Sequence, residues 1–220
     1  MRMRNYLVLL ILLLFTKGID AQLLIDAGSN NSDIIESSSF HFNGLNGWPT
    51  ADYSGNSIYA NLYEDEYYLI GVKDAPLGGT VSKNIYVNNN RNYTISTLIK
   101  TVYVAANQTF FAGLLLSDGT NRITFDITWG EYSISQIYNG KGSDIQTWKL
   151  CEFIEGDVSR PERLYNVLQI EKKNNNLNFY INSHFVQQIK TPFWFKLSQV
   201  GFNVSNNTEV AVDYINVLYR

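Results

Sequence analysis

Short runs of alternating apolar and polar residues recur along the chain, with turn-forming residues about every ten positions between them. The clearest run covers residues 121–129, where four apolar residues alternate with four polar ones, namely Ile123, Phe125, Ile127 and Trp129 with Arg122, Thr124, Asp126 and Thr128. Successive side chains of a strand point to opposite faces, so this run predicts a strand with one face in a core. No stretch keeps the period of a helix. The pattern predicts an all-β fold, a sandwich of two antiparallel sheets.

Other stretches add strands to this sandwich. Residues 164–182 predict a hairpin, because apolar alternation continues on both sides of the asparagine turn 174–176. The run Phe110–Leu116 is apolar on both faces, which indicates a central strand, and Gly113 inside it predicts a bulge or the close approach of another backbone. In the run 93–103, the spacing puts Tyr93 and Tyr103 on the same apolar face.

The N-terminal residues have the three-part layout of a secretory signal peptide. Arg2 and Arg4 precede an apolar run of ten residues, Tyr6–Phe15, and the small residue Ala21 follows. An uncleaved membrane anchor is the alternative, but such a run rises only about 15 Å as a helix, half of a hydrocarbon core. The predicted organisation is a signal peptide over residues 1–21, an N-terminal tail or edge segment over 22–35, and a β-sandwich domain over 36–220.

The predicted export and the net charge narrow the classes of partner, and the single cysteine is predicted to be structural. The signal predicts a secreted or periplasmic location, and no later stretch is long and apolar enough to span a membrane after cleavage. The formal net charge is −3, and no lysine or arginine cluster interleaves with aromatic residues, which disfavours nucleic-acid binding. The single cysteine, Cys151, lies between apolar neighbours and is predicted to be a small buried side chain rather than a nucleophile.

The closing third of the chain contains a series of motifs, which are N-x-L-x-I from Asn166, L-x-F-Y-I-N-x-x-x-V from Leu177, V-G-F from Val200 and V-D-Y from Val212. This order resembles the concanavalin A-like lectin/glucanase superfamily, in particular small exported domains of bacterial proteins. The resemblance covers most of residues 36–220 and implies a jelly roll of two antiparallel sheets, often with a concave face that binds glycans. Such domains usually have glycine where this chain has Ser183, so a looser hairpin turn is expected there.

The resemblance also implies where catalytic residues would lie, and the chain departs from that pattern. Glycanases of the superfamily have a strand motif E-x-D-x-x-E, whose glutamates act as nucleophile and general acid, and this chain has no such motif. The acidic run Glu64–Glu66 is typical of a solvated turn, and Asp126 has no acid two or four places away. His41 and His184 lack further ligands at zinc spacing. A non-catalytic domain is favoured over an enzyme.

No cofactor is predicted, although a structural calcium ion would suit the superfamily, whose loops commonly hold one. Four carboxylates could contribute to such a site, namely Asp118, Asp144, Asp157 and Asp213. They lack the spacing of an EF-hand. Solvation of the first three, and a hydrogen bond within the sandwich for the fourth, are the favoured interpretations.

Aromatic side chains are the candidate binding surface, because sugars stack their C–H faces on rings while fixed polar groups hold their hydroxyls. The candidate platforms are Trp48, Tyr53, Tyr138, Trp148 and Trp194. For Trp48 a lid folded onto the core is favoured over an exposed platform, and packing is also open for Trp148 and Trp194. Residues 193–195 are three successive aromatics, so one of them faces outward if the segment is extended.

The sequence thus predicts a secreted, non-catalytic, lectin-like β-sandwich that binds a carbohydrate or a cell-surface polymer. Two alternatives stay open. One is a structural or protein-interaction sandwich without a small ligand, and the other is a divergent glycoside hydrolase or lyase.

Overall fold

The structure is a computed structural model that describes residues 34–39, 47–51, 57–63, 67–105, 110–156 and 165–220. These residues form fourteen strands and no helix. In chain order the strands are β1 Ile34–Ser39, β2 Ile58–Tyr63, β3 Tyr67–Val72, β4 Gly79–Asn84, β5 Tyr93–Val104, β6 Ala112–Ser117, β7 Arg122–Ile127, β8 Glu131–Tyr138, β9 Lys141–Leu150, β10 Tyr165–Lys173, β11 Asn176–Ile181, β12 His184–Lys190, β13 Gln199–Val204 and β14 Thr208–Tyr219. All of them belong to one unit, Ile34–Arg220. The predicted signal peptide, and the predicted tail as far as residue 33, lie outside the described residues.

The strands form two antiparallel sheets. The larger has eight strands, in the order β12-β11-β10-β5-β14-β3-β2, with β1 also paired to β14. β3 pairs with residues 208–212 of β14 and β1 with residues 214–218, so the two short strands share one edge of this long strand. The smaller sheet has six strands, in the order β4-β13-β6-β7-β8-β9.

The two sheets pack against each other through apolar side chains, which confirms the predicted β-sandwich. Ile123, Phe125 and Ile127 of β7 are fully buried, as their alternation predicts. The Phe125 ring meets the Phe179 ring of β11, in the other sheet, edge to face with 5.1 Å between centroids. The polar residues that alternate with them therefore point to the outer face of the six-stranded sheet. Cys151 is buried, as predicted.

The hairpin predicted over residues 164–182 is confirmed as β10 and β11. The loosening expected at Ser183 is not observed. Asn182 and Ser183 both have positive φ, 50° and 69°, and the residues on either side of them pair directly. The Asn182 side chain fixes this tight turn, because it accepts a hydrogen bond from the Val167 backbone N–H and donates one to the Phe153 carbonyl.

The prediction for β5 is wrong at one end of the strand. Tyr93 is buried in the core, whereas Tyr103 is 53% exposed. Two consecutive residues of β14 pair with residues 101 and 103, so Val102 between them is left unpaired. This β-bulge shifts the alternation by one position, which turns Tyr103 outward and lets Val104 pack against the core.

Candidate functional site

A cleft of about 460 Å³ lies on the outer face of the six-stranded sheet. Its floor is made of polar side chains from β7, β8 and β13, namely Arg122, Thr124, Asp126, Ser133, Ser135 and Asn203. Trp148 reaches the cleft from the edge strand β9, and Leu77 from the loop before β4, the strand at the opposite edge. The polar floor therefore lies between two apolar rims.

Asp126 and Asn203 meet across a glycine. β6 lies between β7 and β13, and Gly113 pairs with Asp126 on one side and with Asn203 on the other. Since Gly113 has no side chain, the Asn203 amide donates to both carboxyl oxygens of Asp126, each at 3.1 Å. A Cβ at residue 113 would lie 2.6 Å from Asp126 Oδ1 and 2.0 Å from the Phe125 carbonyl oxygen. This confirms the predicted close approach of another backbone at Gly113.

The buried position of Asp126 disfavours the charged form of its carboxyl group. Its side chain is 5% exposed, and burial raises its pKa to about 7, because the charged form loses its solvation. Hydrogen bonds from Thr124 and Asn203, together with the positive charge of Arg122, lower the pKa and offset part of this effect. Near neutral pH the group therefore exists in both protonation states, and it can accept hydrogen bonds or donate one.

A second set of polar contacts lines the β9 side of the cleft. The Ser135 hydroxyl donates to Asp144 Oδ1 at 3.1 Å, and the Gln136 side-chain amide donates to the Ser143 hydroxyl at 3.2 Å. Both bonds join β8 to β9. They hold the polar side chains of an edge strand in place beside the floor.

An exposed aromatic ring completes the cleft, since Trp148 is 42% exposed. Its ring offers an apolar surface next to a floor of fixed donors and acceptors. Such an arrangement can bind a ligand that has both an apolar face and several hydroxyl or amide groups.

Burial removes one of the predicted platforms, Trp48. Its side chain is 3% exposed, and its ring packs on those of Tyr68 and Phe202 with centroids 5.4 and 5.3 Å apart. An indole ring buried to this extent adds apolar area to the core and presents no face to a ligand. Trp48 is therefore a lid on the core, which is the interpretation that the sequence favours. Tyr53 lies outside the described residues.

Tyr138 and Trp194 lie together, and neither lines the cleft. Their rings stack with 5.5 Å between centroids and an interplanar angle of 17°. Phe193 contacts Tyr138 edge to face and is 89% exposed, so one of the three successive aromatics does face outward, although residues 193–194 form a turn and not the extended segment on which the prediction is based. Among the described residues, Trp148 is the one predicted platform that the fold brings to the cleft.

The carboxylates considered for calcium are dispersed. Asp118 accepts two backbone N–H groups of its own turn, Asp144 accepts from β8, and Asp213 is the extra residue of a bulge in β14. Asp157 and the acidic run Glu64–Glu66 lie outside the described residues. Within the described ranges, no group of three or more His, Cys, Asp or Glu side chains could hold a metal ion. The same ranges contain no helix long and apolar enough to cross a membrane.

No protein-family model and no curated protein matches the chain. Solved structures do match, among them a botulinum neurotoxin type C protein, with a TM-score of 0.54 and 15% identity over 86% of this chain and 48% of that one. A xylan β-1,4-xylosidase from Bacillus halodurans C-125 has a TM-score of 0.58 and 14% identity over 83% of this chain and 39% of that one. The CBM2 module of the evolved Dit of Lactobacillus casei BL23 phage J-1 has a TM-score of 0.53 and 10% identity over 84% and 94%.

These similarities show the fold alone, because the identities are so low. The chain spans about half the length of the botulinum neurotoxin binding domains that it resembles, 47% for the type G domain. The phage module is instead matched over nearly its whole length. A β-sandwich of this size therefore exists as a separate module in another protein.

The pattern of β7 places Asp126 on an outer face, but it does not reveal Asn203 beside it. The two residues are 77 positions apart and meet only through the register of β6 with β13. One local signal points to this pair. Gly113 interrupts an otherwise apolar central strand, and such a gap makes room for side chains from the strands on either side.

Proposed function

We propose that the protein is an exported, lectin-like β-sandwich that binds a carbohydrate in the cleft of the six-stranded sheet. One observation carries the proposal, the exposed Trp148 ring beside a polar floor centred on Asp126 and Asn203. A sugar needs both parts, because the C–H faces of its ring are apolar while its hydroxyls require fixed donors and acceptors.

Each part of the cleft has a role in this proposal. Trp148 stacks on the apolar face of a sugar ring, and we take the size of this contact from that of an aromatic pair, about 0.5–1.5 kcal/mol. The Asp126 carboxyl group accepts hydrogen bonds from sugar hydroxyls, and Asn203 holds it in position. Outward residues of a strand are about 7 Å apart, so Arg122 and Thr124 on β7 can contact the next unit of a longer glycan.

Two similar structures support a carbohydrate as the ligand. One is a CBM2 module, and the botulinum neurotoxin type C protein is described as depending on two ganglioside molecules to enter cells. Both proteins share the β-sandwich with this chain. They support the class of ligand alone, because a shared fold does not fix which sugar is bound.

The proposal also covers the family and the location of the protein. The motifs of residues 166–214 support a concanavalin A-like domain, and the N-terminal segment 1–21 supports export to a secreted or periplasmic location. The partner is then a glycan or another cell-surface polymer. The chemistry proposed for the cleft uses no cofactor.

A glycan array tests the proposal. We expect the purified protein to bind at least one glycan of a broad panel, and Trp148→Ala to weaken that binding about two- to tenfold. Leu150→Ala is the matched control, because Leu150 is an exposed residue of the same strand that does not line the cleft. Binding by Trp148→Ala equal to that of the control would contradict the proposal. The absence of binding to any glycan would instead favour a structural or protein-interaction sandwich.

The cleft also favours a second candidate function, a glycoside hydrolase. A general acid works best with a pKa near the operating pH, and burial raises that of Asp126 to about 7. Asp144 is a second carboxyl group in the same cleft, on the far side of β8. This candidate predicts that the protein releases reducing sugar from a polysaccharide it binds, and that Asp126→Asn abolishes the release while binding persists. Binding without any release would rule it out.

A further inference from the structure

A second groove, of about 540 Å³, lies at the end of the six-stranded sheet where β6 turns into β7. Three segments line it, namely residues 85–89 after β4, residues 118–121 between β6 and β7, and residues 194–198 before β13. None of the described residues that line this end groove also lines the cleft. The end groove and the cleft are therefore separate surfaces of one molecule.

Hydrogen bonds hold the walls of the end groove together. The Ile85 backbone N–H donates to the Ser198 carbonyl at 2.8 Å. The Asn89 side chain donates to the Leu197 carbonyl at 3.0 Å and accepts from the Leu197 N–H at 2.8 Å. The Asp118 carboxylate closes the third segment by accepting two backbone N–H groups. Walls fixed in this way lose little conformational entropy when a ligand binds.

Two aromatic side chains line the end groove. Tyr86 is 93% exposed, so its ring has no part in the core. Trp194 is half-buried and rests on the ring of Tyr138, which supports it from behind. Thr120 and Lys196 add a hydroxyl and an ammonium group to the lining. Rings and hydrogen-bonding groups thus occur side by side, as in the cleft.

We propose that the end groove is a second carbohydrate-binding site, in which Tyr86 stacks on a sugar ring and Thr120 and Lys196 bind its hydroxyls. The volume of the groove lies within the range of small-ligand sites, about 300–1,000 Å³. The proposal goes beyond the cleft and does not require it. If both sites are filled, one molecule holds two glycan segments at once and cross-links a polysaccharide.

Affinity electrophoresis tests the second site in native gels that contain soluble xylan, mannan, laminarin or hydroxyethylcellulose. The proteins compared are the parent, Tyr86→Ala, Trp148→Ala and the double variant. Tyr103→Ala is the control, because Tyr103 is an exposed tyrosine outside both the cleft and the end groove. We expect Tyr86→Ala to raise the apparent Kd for the polysaccharide about two- to tenfold and therefore to be retarded less than the parent. The double variant should lose retardation, and the control should migrate as the parent does.

The pattern of results separates the two sites. If the parent is retarded and Tyr86→Ala is retarded equally in every gel, the second site is overturned, whatever Trp148→Ala does. If Tyr86→Ala weakens retardation and Trp148→Ala does not, the second site stands and the cleft proposal fails. Migration of the parent without retardation in all four gels would overturn both. Since Tyr86 is almost fully exposed, its replacement should leave the melting temperature unchanged, and this is measured on each variant.

Discussion

At the scale of single residues, the acid–base chemistry of Asp126 depends on the fold. In the unfolded chain an aspartate has a pKa near 3.8, whereas burial raises the pKa of Asp126 to about 7 in the folded protein. The folded state therefore binds this proton more tightly than the unfolded state does. It follows that the contribution of Asp126 to stability is greatest below the lower pKa, falls as the pH rises through the higher one, and then levels off.

This linkage predicts a measurable loss of stability with rising pH. Between pH 5 and pH 8 the titration of Asp126 should reduce the free energy of unfolding by about 2–3 kcal/mol, as followed by urea denaturation. Asp126→Asn is the matched variant, because it keeps the shape of the side chain and an acceptor for Asn203 but cannot ionise. The variant should lack this component of the pH dependence. Parallel pH profiles for the two proteins would contradict the raised pKa.

At the scale of elements, β6 determines whether the floor of the cleft can form. Gly113→Ala would place a methyl group 2.0 Å from the Phe125 carbonyl oxygen, which belongs to the backbone of the adjacent strand and cannot move alone. We expect a loss of about 2–4 kcal/mol in the free energy of unfolding, measured with urea. Gly142→Ala on β9 is the control, since a Cβ there meets no atom within 4 Å. Equal stability of the two variants would show that the backbones of β6 and β7 are too far apart at Gly113 for this clash to occur.

The same elements show how far the sequence predicts the fold and where it stops. The alternation of β7 and the glycine of β6 are local patterns, and both led to correct predictions. The bulge that turns Tyr103 outward is not local, because it arises where two consecutive residues of β14 pair with the residues on either side of Val102. The contact of Asn203 with Asp126 likewise depends on strand register. Pairing between distant strands is set by the packing of the whole sandwich, and a single sequence does not display it.

At the scale of the whole molecule, the inner faces of the two sheets form the apolar core, and the outer face of the smaller sheet has the cleft that we propose as the binding site. The fold class could be predicted because short alternating runs and turns repeat along the entire chain. The proposed binding surface could be predicted only as a set of aromatic residues. Trp48 lies in a run rich in glycine and proline, where the sequence favours a lid on the core, and it is indeed buried. The sequence leaves Trp148 open between packing and binding, and only tertiary packing shows that it is exposed at the cleft.

The most direct test of carbohydrate binding in the cleft is an NMR titration of the indole N–H signals. The chain has four tryptophans, and Trp148→Phe assigns the signal of Trp148 by its loss. On addition of an oligosaccharide that binds on the glycan array, we predict that the Trp148 signal shifts progressively while that of the buried Trp48 stays in place. Binding of the oligosaccharide without any shift of the Trp148 signal would contradict the proposed site.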